Sequence, residues 1–80
     1  MKVLFFGSLK EHLNCSELTL ESNYASASEL RKSLCARGEP WAGALSNEKL
    51  LVAINQEMAK FEDSLSASDE VAFFPPVTGG

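Results

Sequence analysis

Two segments at opposite ends of the chain, Val3-Leu-Phe-Phe6 and Val71-Ala-Phe-Phe74, are apolar at every position. Successive side chains of a strand point to opposite faces of its sheet. A strand without a polar side chain therefore belongs where both faces are covered, by the chain's own core or by a partner. A chain of 80 residues supports one small domain with one thin core, so there is room for only one such sheet centre. The first and last strands are predicted to form it. If they run parallel there, their C-terminal ends coincide, and Phe6 and Phe74 share one end of the sheet with whatever follows Phe74.

The intervening chain supplies the remaining elements. Leu9 and Leu13, four apart, make one apolar stripe on a short helix. Asn14 to Ser16 can turn the chain back into Glu17-Leu-Thr-Leu-Glu21, whose alternation is that of a strand with one wet face, nearer a sheet edge. Ser26-Ala-Ser-Glu29 is a capping box, and Leu30 and Leu34 give the stripe of the principal helix. Arg37 falls in its last turn and Gly38 suits its C-terminal end. Glu39-Pro-Trp-Ala-Gly-Ala-Leu45 is a second short helical segment, with Trp41 at the edge of the core. Lys49 to Asn55 is the third strand, Met58 to Phe61 a short fourth and Glu70 to Phe74 the last. The order ββα, a short helical piece, then βββ is α+β, a mixed sheet with one principal helix on one face, which is the β-grasp plan. One helix covers one face only, so the second face of the central strands should present an exposed apolar patch of the kind that marks a protein interface.

Candidates for chemistry are scarce. The single histidine, His12, lies beside a helical stripe and reads as a surface residue. Cys15 and Cys35 are too far apart for a redox or zinc CxxC pair and read as free thiols, Cys35 as a partly buried small hydrophobe. There is no GxSxG, HExxH, GxGxxG or P-loop, and no metal site is expected. A net charge of −4 disfavours nucleic acid and fits a partner with basic surface. No apolar run is long enough for a membrane span or a secretory signal, so the expected location is the cytoplasm.

What remains is the end of the sequence. Residues 1–74 are expected to form the domain and 75–80 a tail. Pro75 and Pro76 favour an extended, polyproline-like path, on which six residues reach at most about 20 Å. Gly79 and Gly80 carry no Cβ and fit a channel too narrow for other residues. Such a tail presents the α-carboxylate of Gly80, an anion at neutral pH with no leaving group, which must be activated before it accepts a nucleophile.

The residues Lys2-Val-Leu-Phe-Phe6, Lys49-Leu-Leu-Val-Ala-Ile-Asn-Gln56 and above all Asp69-Glu-Val-Ala-Phe-Phe-Pro-Pro-Val-Thr-Gly-Gly80 resemble the small, sulfur-carrying subunits of molybdopterin synthase, a ubiquitin-like β-grasp family. Ser68 departs from the glycine often found there. The resemblance implies that Gly80 is adenylated by a ubiquitin-activating-type adenylyltransferase using ATP and converted by a sulfur donor to a thiocarboxylate, which supplies sulfur for the dithiolene of molybdopterin. It implies no permanently bound cofactor and no catalysis by this chain alone. Val77, Thr78 and Gly79 would follow Pro75 and Pro76 into the large subunit, Phe6 and Phe74 would meet that partner, and the assembly would be a heterotetramer of two small and two large subunits. The residues also leave open a sulfur carrier of another pathway such as thiamine synthesis, a ubiquitin-like modifier, or an interaction module whose tail merely docks.

Overall fold

The computed structural model describes residues 1–21 and 23–76. In chain order the elements are β1 (Lys2–Phe5), α1 (Ser8–Leu13), β2 (Glu17–Thr19), α2 (Ala27–Cys35), α3 (Trp41–Leu45), β3 (Leu51–Ile54), β4 (Glu57–Ala59) and β5 (Glu70–Phe74). They build a five-stranded sheet in the order β2-β1-β5-β3-β4. The two segments apolar at every position do occupy its centre: β1 and β5 run parallel, with Val3 beside Val71 and Phe5 beside Phe73. The other pairings are antiparallel, β2 on β1 at one edge, β3 on β5 and β4 on β3 at the other. This mixed sheet with its helices on one side is the β-grasp architecture expected from the order of elements.

Strand parity then divides the side chains. Val3, Phe5, Val52, Val71 and Phe73 point to the helix side and are almost wholly buried. Phe5 and Phe73 stack with centroids 6.0 Å apart, Phe61 stacks on Phe73 at 6.3 Å, and Trp41 meets Phe5 edge-on at 5.6 Å, so Trp41 is the core-edge anchor expected of it. Leu9 and Leu13 of α1, Ala27, Leu30 and Leu34 of α2, and Ala44 and Leu45 of α3 all join this one cluster. Hence the three helices lie on one face, and none crosses to cover the other.

Several bounds differ from the sequence reading. The first strand stops at Phe5 rather than Phe6, because Gly7 takes φ 60°, ψ −137° and turns the chain into α1. The second and fourth strands are shorter than Glu17–Glu21 and Met58–Phe61, ending at Thr19 and Ala59. The third spans Leu51–Ile54 rather than Lys49–Asn55, since Asn55 (φ 51°) and Gln56 (φ 68°) form the tight turn into β4. Two successive positive φ angles match the right-handed twist of a hairpin, and asparagine tolerates them better than most residues.

At the start of α2 the Ser26 hydroxyl accepts from the Glu29 amide at 3.3 Å, as a capping box requires. The Glu29 carboxylate reaches one residue further back than in the usual box, accepting from the Ala25 amide at 2.8 Å. Ser26→Ala should cost about 1 kcal/mol, read as a lower midpoint in chemical denaturation with an unchanged slope. At the other end of the layer Arg31 donates to the carbonyls of Leu45 and Asn47, both at 2.6 Å, and its guanidinium lies 4.7 Å from the Phe61 ring centroid. It thereby satisfies a free carbonyl at the end of α3 and joins the two helices, a role the sequence pattern did not signal.

Candidate functional site

The face of the sheet opposite the helices is built by the other strand parity. Leu4 faces Ala72 in the parallel register, Leu51 pairs with Phe74, and Ala53 pairs with both Ala72 and Met58. Phe6 follows at the end of β1, still tied to β5 by donation from its amide to the Phe73 carbonyl at 3.1 Å. Its ring stacks on Phe74 with centroids 4.9 Å apart and planes 8° apart. The expected meeting of Phe6 and Phe74 at one end of the sheet is therefore observed, and it follows from the parallel pairing of the chain's first and last strands.

Phe6 is 42% and Met58 64% exposed, unusually open for large apolar side chains. Together with Gly7, Leu51, Phe74, Pro75 and Pro76 they line an open hollow of about 580 Å³. A second hollow continues from it along the sheet over Leu4, Ala53 and Ala72, bordered by Gln56 and Glu70. An exposed 3.2 Å ion pair, Lys2 with Glu17, stands at the β2 edge. The pattern is an apolar strip with a polar rim, the composition of a surface that another protein covers. Side chains lining the first hollow carry no ionisable group, so it can bind but cannot perform acid–base or nucleophilic chemistry.

Where the chain leaves the sheet, Pro75 passes directly over Gly7. A Cβ added at Gly7 would lie 3.0 Å from Pro75 Cγ, and the backbone there is at positive φ. Both facts favour glycine at this crossing. Of the residues expected to form the tail, Pro75 and Pro76 are half-buried at the edge of the hollow, whereas Val77, Thr78, Gly79 and Gly80 lie outside the described residues.

At the opposite end of β5 a polar clamp fixes the sheet register. Asn55 accepts from the Glu70 amide and donates to Asp69 Oδ1, both at 3.0 Å, while Asp69 Oδ2 accepts from the Ser66 amide at 2.8 Å. The Asn55 side chain first, and the Ser66 amide second, hold the Asp69 carboxyl below its ordinary range. A depressed folded-state pKa stabilises the fold fully above the unfolded value and ceases to do so as pH falls through the folded one. Thermal melts should therefore show stability decreasing below the usual aspartate range, and Asn55→Ala should flatten that acid limb; an identical limb in the variant would rule the clamp out as its source.

The remaining sequence candidates do not gather into a site. His12 is exposed, and Cys15 and Cys35 are free and half-buried. Among the described residues no three His, Cys, Asp or Glu side chains come together, and no helix is long and apolar enough to cross a membrane. Sequence reasoning named Phe6 and Phe74 as partner-facing residues at one end of the sheet, without assigning the face, and missed Leu4, Leu51 and Met58. Parity along β1 could have placed Leu4 with Phe6; Leu51 and Met58 required the β5–β3–β4 register.

The whole length of the chain is similar to known proteins. The chain is 45% identical over 80 residues to a Haemophilus influenzae protein named molybdopterin synthase sulfur carrier subunit, covering all of this chain and 99% of that one. It is 41% identical over 80 residues, with the same coverage, to an Escherichia coli protein of the same name. Among solved structures it resembles one chain of the complex of subunits 1 and 2 of the molybdopterin-converting factor from Helicobacter pylori, with TM-score 0.63 and 27% identity over 99% of this chain and 96% of that one. The ThiS family profile matches residues 3–80, and on these grounds the chain belongs to the ThiS family, alongside the molybdopterin synthase sulfur carrier subunits.

Proposed function

We propose that this protein is the sulfur carrier subunit of a molybdopterin synthase and acts in the cytoplasm. The observation that carries the reading is its full-length similarity to relatives of that name, 45% and 41% identical over 80 residues. Residues 75–80 serve as the tail, and Gly80 is the loaded residue. Its carboxylate oxygen attacks the α-phosphorus of ATP on a ubiquitin-activating-type adenylyltransferase, releasing pyrophosphate and forming an acyl-adenylate. A sulfur donor then displaces AMP and leaves a thiocarboxylate. The anionic carboxylate has no leaving group of its own, and the adenylate supplies one.

The apolar face supplies the other half of the function. Phe6, Phe74 and their neighbours dock on the large subunit, two small subunits with two large ones. Pro75 and Pro76 direct Val77, Thr78 and Gly79 toward its active site, and the large subunit provides the catalytic side chains. The thiocarboxylate sulfur becomes part of the molybdopterin dithiolene, and Gly80 returns as a carboxylate. No metal or permanently bound cofactor is required of this chain.

The test is to load Gly80 with ATP, activating enzyme and sulfur donor, and then offer the thiocarboxylated chain to two acceptors. Dithiolene product is expected with the molybdopterin synthase large subunit and the cyclic pyranopterin precursor. Product only with a thiazole-forming enzyme would assign the chain to another sulfur pathway.

A further inference from the structure

Met58 is the most exposed large apolar side chain described, at 64%, and it lines both hollows of the open face. It stands on the edge strand β4 opposite Ala53, with Phe6, Leu51 and Phe74 around the first hollow. The same side chain is therefore open to solvent in the free protein and shared by both hollows of the apolar strip. We propose that Met58 is a modification site: oxidation to the sulfoxide by a peroxide reversibly switches off docking of this face. The inference rests on the reading of the open sheet face as the large-subunit surface.

The chemistry needs one two-electron oxidant. The thioether sulfur attacks a peroxide oxygen, the O–O bond breaks, an S–O bond forms, and the peroxide leaves as water or an alcohol. Sulfur loses two electrons and the peroxide gains them; a sulfoxide reductase reverses the step. The added oxygen is a strong acceptor. In the first hollow every other lining side chain is apolar or glycine, so once a partner excludes water the oxygen has no donor from these groups. Gln56, at the border of the second hollow, carries a side-chain amide. Leucine in place of Met58 retains comparable apolar volume and cannot be oxidised.

The experiment uses the full chain and its large subunit. The chain is treated with hydrogen peroxide, then with a thiol reductant to reverse sulfenate and disulfide formation at Cys15 and Cys35, and the oxygen is located by peptide mass spectrometry. Affinity is measured by titration calorimetry for untreated, oxidised, and reductase-repaired wild type, and for Met58→Leu before and after peroxide. The expected result is a loss of at least about tenfold on oxidation of wild type, recovery on repair, and, whatever the untreated affinity of Met58→Leu, no change in that variant on peroxide treatment. Unchanged affinity with the sulfoxide present at Met58 would overturn the proposal, as would an equal loss in Met58→Leu, which assigns the effect elsewhere. If the untreated chain fails to bind, the docking reading itself falls and takes this proposal with it; binding that survives oxidation leaves the docking reading standing.

Discussion

Removal of Gly80, or addition of one residue after it, should abolish sulfur loading while leaving the fold intact. The expectation rests on which atoms react. An added residue moves the carboxylate by up to about 3.5 Å and introduces a Cβ unless it is glycine, at the point where an activating enzyme must bring it to the α-phosphorus of ATP. The folded domain should not register the change, because among the described residues the buried core ends with Phe73 and the last strand with Phe74. Intact-mass measurement after incubation with ATP, activating enzyme and sulfur donor reads the oxygen-to-sulfur increase, and a thermal melt of the same sample reads the fold. Wild type should gain the mass and both variants should not, at equal melting temperature. A truncated chain that loads as well as wild type would move the reactive group away from Gly80.

The second large effect is expected at the stacked pair on the open face. Phe6→Ala and Phe74→Ala should each weaken association with the large subunit by about 2 kcal/mol, roughly thirtyfold in Kd, the range of a buried aromatic anchor. The two variants differ usefully in their effect on the fold. Phe6 is 42% exposed and lies beyond the end of its strand, so its truncation should barely change the melting temperature. Phe74 is half-buried and pairs with Leu51 inside the sheet, so its truncation should also cost stability. If Phe74→Ala lowers the melting temperature and neither variant changes Kd, the pair belongs to the sheet alone and the interface lies elsewhere.

Most of the architecture was legible in the pattern of apolar residues. The segments at Val3 and Val71 announced the central strands because no polar position broke either one. Ser26, Glu29, Leu30 and Leu34 announced the principal helix because a cap and a stripe fell at helical spacing. Strand ends were less legible. Phe6, Lys49 and Phe61 are as acceptable in a strand as their neighbours, and what excludes them is the backbone turning at Gly7, at Asn47 to Leu50 and at Lys60 to Asp63, a decision of φ and ψ rather than of hydrophobicity. Of the candidate site, the meeting of Phe6 with Phe74 was legible because parallel terminal strands bring their ends together, whereas the proposed role of Gly79 and Gly80 falls outside the described residues. The extent of the apolar face was not, since Met58 reads as an ordinary strand residue until its pairing with Ala53 is known.

The sequence by itself determined that both ends of the chain are strands for a sheet centre, that one capped helix lies between them, and that the terminal run is chemically unlike the rest. Those properties follow from local composition and spacing. Only the tertiary structure decided that all three helices share one face, that Phe6 stacks on Phe74, and that Leu51 and Met58 complete an apolar strip beside Pro75 and Pro76. Such facts depend on strand register, and a shift of one residue would have turned each of these side chains to the opposite face.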